Sequence, residues 1–573
     1  GMILKFDFFS YRLKLPVKNK TKKYNPKIIE NFGNFILDKY FMIRLLYNVI
    51  ITLSVINKYQ KHPLIYQLFI LCFLYLFLYK ILIPRVLAFG CFDDCFAITS
   101  GYFISNGKKL YTDIFYNHQL ILPYLSSLIQ LYFKPQNLYE LILRHREVML
   151  GLSFILNSLL LVRFGGKMLI WAIFFELSKF YFFGDRFLAE GIVVYPIIYL
   201  ALLTIEKVKY KKLFKFDYIV SGIFAYLVFF MREPYIPLTL FLLFAVFYGK
   251  ENIRVKILTF IFLTVISLLT LSLFNLTDIF YALYKFNQIT IISGEYAQSH
   301  LQGIGILRIF LYPFLIFFDG KWNFIHIYLT SGVSILFLLI AIYFYNTKKN
   351  ILPILFFLSL GLATIRYVSP DQIYFESYRL LIWHGLLLAF ILSMIFILKY
   401  KYKIVFYLLS IFTLFWVSIL INKDSYLLHK PDPQFDLLTN YGRIMQVGET
   451  VKKISNKNDT FFSDGADELT HWSTGLPSSY RYSMYSAQMP QIEKFRIERN
   501  NMFLKNPPDF YYDFCLTNNR PKYSLGEFLK LYSNLNLYNN PSCLFVRKAK
   551  LPEITDIQWG KIKEWGFEKP PSI

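Results

Sequence analysis

Apolar residues fall in long runs separated by short basic or polar connections, and the runs share a length. Stretches of about 17–25 mostly apolar residues, enough to cross a bilayer as a helix, recur from position 64 onward. The first reads LIYQLFILCFLYLFLYKILI over 64–83. Spans are predicted near 64–83, 140–162, 168–184, 188–204, 218–231, 234–248, 256–275, 323–345, 351–368, 378–398 and 404–421. Two shorter apolar stretches, 119–133 and 306–318, predict helices that lie along or dip into the outer leaflet. The segment 41–56 carries Arg44 and predicts an interfacial amphipathic helix. Beyond 421 the long runs stop. Residues 422–573 alternate short strand-like and helical patterns, as in GADELTHWSTGLPSS, NPPDFYYDF and CLFVRK. They predict a small α/β domain of about 150 residues, an ordinary domain size.

The expectation is a mainly α protein: a polytopic transmembrane helical bundle of about eleven spans with a small C-terminal α/β extracytoplasmic domain. It has three parts: a basic cytoplasmic arm over 1–62, a membrane domain over 63–421 and the terminal domain over 422–573. Composition agrees. The chain is 55% hydrophobic and 20% aromatic, with a mean hydropathy of +0.41, too apolar for a soluble protein of 573 residues.

The net charge of +25 raises nucleic acid as a partner, but its placement argues for topology. Residues 5–61 hold 12 Lys/Arg against 3 Asp/Glu, whereas 422–573 hold 20 against 17. The surplus lies in the arm and in alternate short loops, as the positive-inside rule expects. Arg163 and Lys167, then Lys207 to Lys215, then Lys250 to Lys256, then Lys348 and Lys349, then Lys399 to Lys403 mark the inner loops. This register puts the N-terminus in the cytoplasm and the tail outside, and the Lys/Asn/Ile/Phe/Tyr richness, which fits an AT-rich genome, points to a bacterial inner or plasma membrane. Membrane lipids, anionic ones included, are expected partners. Nucleic acid is not, because no basic-aromatic reading module is present.

Of five cysteines, Cys72 falls inside the first span, while Cys91, Cys95, Cys515 and Cys543 face the outer side in this register. Disulfides and free thiols both remain open for them, since the spacing fits no zinc or CxxC motif.

Candidate chemistry gathers at the outer ends of the spans. Asp93 and Asp94 follow the first span, where adjacent carboxylates are costly beside lipid. Asp113 and His118 stand in the same outer loop. Asp185 and Glu190 flank the opening of a later span, Arg232 and Glu233 the next outer turn, and Arg366, Glu376, Tyr378, Arg379 and His384 a late one. Acids and bases collected there suit transfer onto a hydroxyl or amine. A carboxylate removes the nucleophile's proton, and Arg or Lys stabilises a phosphate leaving group. Lys321 is a further candidate for phosphate, or an anchor at the outer interface. The bland alternatives are a helix cap for Asp93 and Asp94, a turn for Asp113 and Asp185, pairing of Arg232 with Glu233, and snorkelling for Tyr378 and Arg379. Two or three carboxylates suffice to hold a hard divalent ion. The spacing requires none, so no metal ligand is assigned and no cofactor is required.

The string FDDCFAITSGYFISNGKKLYTDIFYNHQLILPYL resembles the first outer loop of GT-C superfamily glycosyltransferases, with its acidic pair after the first span, a G-x-x-x-Y-x-D-like stretch and a short juxtamembrane helix. FGDRFLAEGIVVYPIIYLALL resembles the segment opening the fourth span, and FMREPYIPL the next outer turn. Within the superfamily the chain is most similar to the protein O-mannosyltransferase and aminoarabinose-transferase-like group. The resemblance implies an inverting transfer from a polyprenyl-phosphate-linked sugar to a lipid, glycan or protein outside the cytoplasm. It implies Asp93 as first acid and general base, Asp94 as alternate or orienting partner, and Glu190 as second acid. Arg232 and Arg379 fall to the donor phosphate, with Tyr378, His118, Asp113 and Lys321 as substrate-binding candidates. The second acid is Glu where Asp is commoner, and YFESYRLLIWHG stands where a histidine-rich motif is usual. A polymerase or ligase using a diphosphate-linked donor is the second reading, and a lipid or glycan transporter the third.

Overall fold

The computed structural model describes residues 61–91, 93–210, 213–292, 324–363, 377–398, 431–464, 468–483, 485–486, 488–513 and 526–570. The chain divides into two compact units, Gly1–Ile65 and Tyr66–Ile573, and the helical bundle and the sheet both belong to the second.

That unit is mainly helical, with a five-stranded sheet near its C-terminal end. Five helical stretches are long and apolar enough to cross a membrane: Leu64–Arg85, Leu138–Phe164, Glu190–Tyr210, Ile253–Ser272 and Ser377–Leu398. Each matches a run read from the sequence. The protein is therefore a membrane protein, but the described residues do not reach eleven spans. The expected span at 168–184 is a 12-residue helix, Lys167–Ser178, followed by the 3-10 turn Lys179–Phe182. The run at 218–231 is the 17-residue helix Lys215–Met231. Those at 234–248 and 351–368 give shorter apolar helices, and that at 323–345 is the 24-residue helix Phe324–Thr347. The stretches 41–56, 306–318 and 404–421 lie outside the described residues. Apolar residues also fill the interior of the bundle, so an apolar run does not by itself mark a lipid-facing span. Over their most apolar stretch, Glu190–Tyr210 and Ser377–Leu398 are each 83% buried, against 22% for Leu64–Arg85 and Ile253–Ser272. The two buried helices form the centre, and Trp171 Nε1 of the helix Lys167–Ser178 donates to the Gly385 carbonyl at 3.0 Å. The two exposed ones turn Phe69, Phe73, Phe260 and Leu268 outward, as lipid-facing helices do.

The segment after the helix Leu64–Arg85 folds into two helices, Asp93–Ser105 and Ile121–Phe133. The second falls where a short helix is expected, at 119–133. They approach closely at Gly101, where an added Cβ would stand 2.4 Å from Ser126 Oγ and 2.8 Å from the Ser127 amide nitrogen. Only a glycine admits that contact.

In the terminal domain the strands β1 (Phe461–Asp464), β2 (Phe510–Asp513), β3 (Tyr532–Leu537), β4 (Asn540–Arg547) and β5 (Phe567–Glu568) stand in the order β1-β2-β4-β3-β5. β1 and β2 are parallel and the other pairs antiparallel. Tyr538 and Asn539, both at positive φ, make the two-residue hairpin between β3 and β4. Helices Pro433–Ile454 and Asp556–Ile562 cover one face through Val447, Val451, Ile454, Trp559 and Ile562.

This domain is docked onto the segment that carries the helices Asp93–Ser105 and Ile121–Phe133. Phe115 N donates to the Tyr482 carbonyl at 2.7 Å, and Tyr482 N donates to the Asp113 carbonyl at 3.0 Å. Arg481 Nη1 donates to the Tyr111 carbonyl. Asp278 accepts from Thr112 Oγ1 at 3.1 Å and from Lys494 Nζ at 3.3 Å. Phe96 and Phe103, seven apart on one helix face, meet Tyr482 with ring centroids 6.2 and 4.7 Å away.

Candidate functional site

Asp93 opens the helix Asp93–Ser105, where the N-terminal dipole favours a carboxylate. It is half-buried, and Oδ2 accepts a hydrogen bond from the Tyr378 hydroxyl at 2.7 Å. Tyr378 lies in the 3-10 turn Ser377–Leu380 and packs against Phe183 and Leu188, with Phe89 at the edge. Glu190 opens the buried helix Glu190–Tyr210 and accepts from Arg232 Nε at 2.8 Å. Arg232 ends the helix Lys215–Met231 in an extended conformation that turns the chain back. His118 Nδ1 lies 3.2 Å from Glu233 Oε1.

These groups form one electrostatic neighbourhood. Burial works against the Arg232 charge, but Glu190, Glu233, Tyr378 and Asp93 together raise its pKa above the ordinary guanidinium value. Burial likewise raises the Tyr116 phenol. Arg232 opposes that rise, and Glu233, Asp93 and Glu190 add to it, so Tyr116 stays a neutral hydroxyl. The site thus unites five separate stretches of chain: Asp93, Tyr116 with His118, Glu190, Arg232 with Glu233, and Tyr378.

Asp94, next in sequence, does different work. It is 1% exposed, accepts from Arg146 Nη2 at 3.2 Å and lies 3.9 Å from Arg186 Nη1. Arg146 Nη1 also donates to Asp185 Oδ2 at 3.0 Å. Asp94 is therefore the anchor of the turn rather than a second open acid. Cys91 and Cys95 form a disulfide across the acidic pair. Cys91, Asp94 and Cys95 bring ligand atoms within 4.8 Å of one another, but the sulfurs are bonded to each other and offer no thiolate to a metal.

The remaining candidates are scattered. Asp113 accepts from the Lys109 amide at 2.8 Å and closes a turn. Arg379 is half-buried, its guanidinium carbon 5.8 Å from the Tyr378 ring centroid, and its carbonyl accepts from the Tyr235 hydroxyl. His384 lies inside the bundle, 2.7 Å from Ser178 Oγ and stacked on Phe182, apart from the acids. Lys321, Arg366 and Glu376 lie outside the described residues. Sequence reasoning passed over Arg146, Arg186 and Tyr116. Arg146 carried a signal, a cation inside an apolar run, which demands a partner. Tyr116 carried none among 45 tyrosines.

Chemically the arrangement offers a solvent-reachable carboxylate held by a phenol, a buried acid-guanidinium pair beside it, and a second cation one tyrosine ring away. It can take a proton from a nucleophile and stabilise an anionic leaving group. No protein-family description, no curated protein and no solved structure matches the chain.

Proposed function

We propose that the protein is an integral-membrane glycosyltransferase of GT-C type. It transfers a sugar from a polyprenyl-phosphate-linked donor to a lipid, glycan or protein acceptor on the extracytoplasmic face. The observation that carries this reading is the Asp93 cluster. A half-buried carboxylate meets a tyrosine hydroxyl and an Arg232–Glu190 pair where the outer loop, the bundle and the terminal domain converge.

In this reading Asp93 takes the proton of the acceptor hydroxyl or amine as its heteroatom bonds to the anomeric carbon. The bond from that carbon to the phosphate oxygen breaks with inversion, and polyprenyl phosphate leaves. Arg379, beside Tyr378, and Arg232 meet the charge that develops on the phosphate. Burial of the prenyl chain against the bundle lines up carbon and nucleophile. The orientation finds support in the disulfide chemistry. Cys91, Cys95 and Cys543 are disulfide-bonded on the outer loop and terminal domain, whereas Arg163, Lys167, Lys207 and Lys256 lie at the other helix ends.

Radiolabelled polyprenyl-phosphate sugars, offered to purified protein with extracted membrane lipids and peptides, test the proposal. Label should pass to one acceptor class. Turnover seen only with diphosphate-linked donors, or label carried across vesicles without transfer, would replace it with the polymerase or the transporter.

A further inference from the structure

Arg186 takes no part in that chemistry, yet it is a charged side chain only 1% exposed at the end of a membrane bundle. Such a residue needs a reason. Its contacts supply one. Nη1 donates to the Gly90 carbonyl, Nη2 donates to the Ala88 carbonyl at 3.1 Å, and Nη1 stands 3.9 Å from Asp94 Oδ1. The grips fall on residues 88, 90 and 94 and so bracket Asp93 from both sides.

The turn they hold does not hold itself. Phe89 and Gly90 have φ of 67° and 62°, and a bulky phenylalanine rarely enters that left-handed region. Ala88 and Gly90 are buried, so their carbonyls require donors from the protein. One planar guanidinium satisfies both and keeps Asp94 within its field. Asn440 of the terminal domain donates to the preceding Leu87 carbonyl at 2.9 Å, and the Cys91–Cys95 bond closes the far side. The acid-bearing turn is clamped from three directions, and Arg186 is the clamp that grips it on both sides of Asp93.

We propose that Arg186 is the positioning residue for the base: it fixes the left-handed turn and Asp94 together, and thereby sets where the Asp93 carboxylate stands against Tyr378 and Arg232. This rests on the assignment of Asp93 as base. Lysine cannot replace it, because one ammonium lacks the rigid fork that serves two carbonyls at once.

The test uses the full chain in nanodiscs with Arg186→Lys, Arg186→Ala and Asp93→Asn. Hydrogen exchange is read on peptides covering 86–96 and, as a fold control, on β2 and β4. Arg186→Lys should speed exchange over 86–96 at least tenfold and leave the strands unchanged. Its kcat should fall about a hundredfold with KM nearly constant, since a misplacement of about 1 Å costs that much. Added guanidinium ion should partly restore Arg186→Ala and not Asp93→Asn. Wild-type exchange over 86–96 in Arg186→Lys overturns the proposal, whatever the activity. So does a rise in KM with kcat unchanged. Full turnover by Asp93→Asn, with the turn loosened in Arg186→Lys, overturns instead the base assignment on which it rests.

Discussion

Replacing Arg146 with leucine should destabilise the fold by about 3 kcal/mol. Arg146 joins Asp94 at 3.2 Å and Asp185 at 3.0 Å, and the three side chains are between 1 and 8% exposed. Removing one partner of a buried ion pair costs about 3–5 kcal/mol, because the charge left behind has lost its water and its counterion. Arg186 stays 3.9 Å from Asp94 and also acts on Asp185, so only part of the compensation is lost, chiefly for the charge of Asp185, and the estimate sits at the lower end. Arg146→Leu with Asp185→Asn removes that charge and should recover to within about 1 kcal/mol of wild type. Reversible unfolding by sodium dodecyl sulfate in mixed micelles, followed by fluorescence of the seven tryptophans, measures both variants. A cost below about 1 kcal/mol for Arg146→Leu, the value of an exposed pair, would refute the argument. So would a double variant no more stable than the single one.

Tyr378→Phe removes the hydrogen bond to Asp93, and a bond to a charged group contributes about 1.5–3 kcal/mol. Transfer should fall roughly ten- to a hundredfold while the unfolding midpoint holds, and a rate equal to wild type would detach Tyr378 from the site. In the terminal domain burial lowers the His471 pKa to about 3, below its unfolded value of about 6.5. The unfolded chain therefore binds the extra proton between those values. The stability this adds is whole above about pH 6.5 and is lost as pH falls toward 3. His471→Asn should remove about 2 kcal/mol of the loss between pH 7 and pH 5, and an unchanged pH slope would contradict the assignment. Asp278→Asn weakens the Lys494 and Thr112 contacts and should increase exchange at 111–115 and at 482 without altering β2 or β4. Gly101→Ala forces a methyl group against Ser126 and should cost about 1–3 kcal/mol, read from the same unfolding curves.

The membrane character, five helices of membrane-crossing length, the short helix at 121–133 and the strand content of the tail were legible because each comes from run length and period. The span count was not. Leu381–Leu398 and Ile253–Ser272 are both strongly apolar, yet one is buried in protein and the other faces outward. Hydropathy does not distinguish a protein interior from lipid. At the site, the sequence singled out Asp93, Glu190, Arg232 and Tyr378, whose charge or position at a span end demanded a reason, and the fold brings these four together. It gave Asp93 as the base and Asp94 as the alternate or an orienting partner, without separating their surroundings. Neighbours on a helix point about 100° apart, so one meets Tyr378 and the other the arginines. Asp113 sits in a motif-like stretch but closes a turn, and its backbone pairs with Tyr482, some 370 residues away, which no local pattern announces.

The central claim is that Asp93 is the base of a glycosyl transfer, and one comparison bears on it most directly. Wild-type protein and Asp93→Asn, both shown folded by their unfolding midpoints, are given the same polyprenyl-phosphate sugar and acceptor extract, and the labelled product is counted. The account predicts transfer by wild type and a loss of at least a thousandfold in the variant, within the range that general base catalysis supplies, about 10²–10⁴. Equal transfer by the two proteins would contradict it.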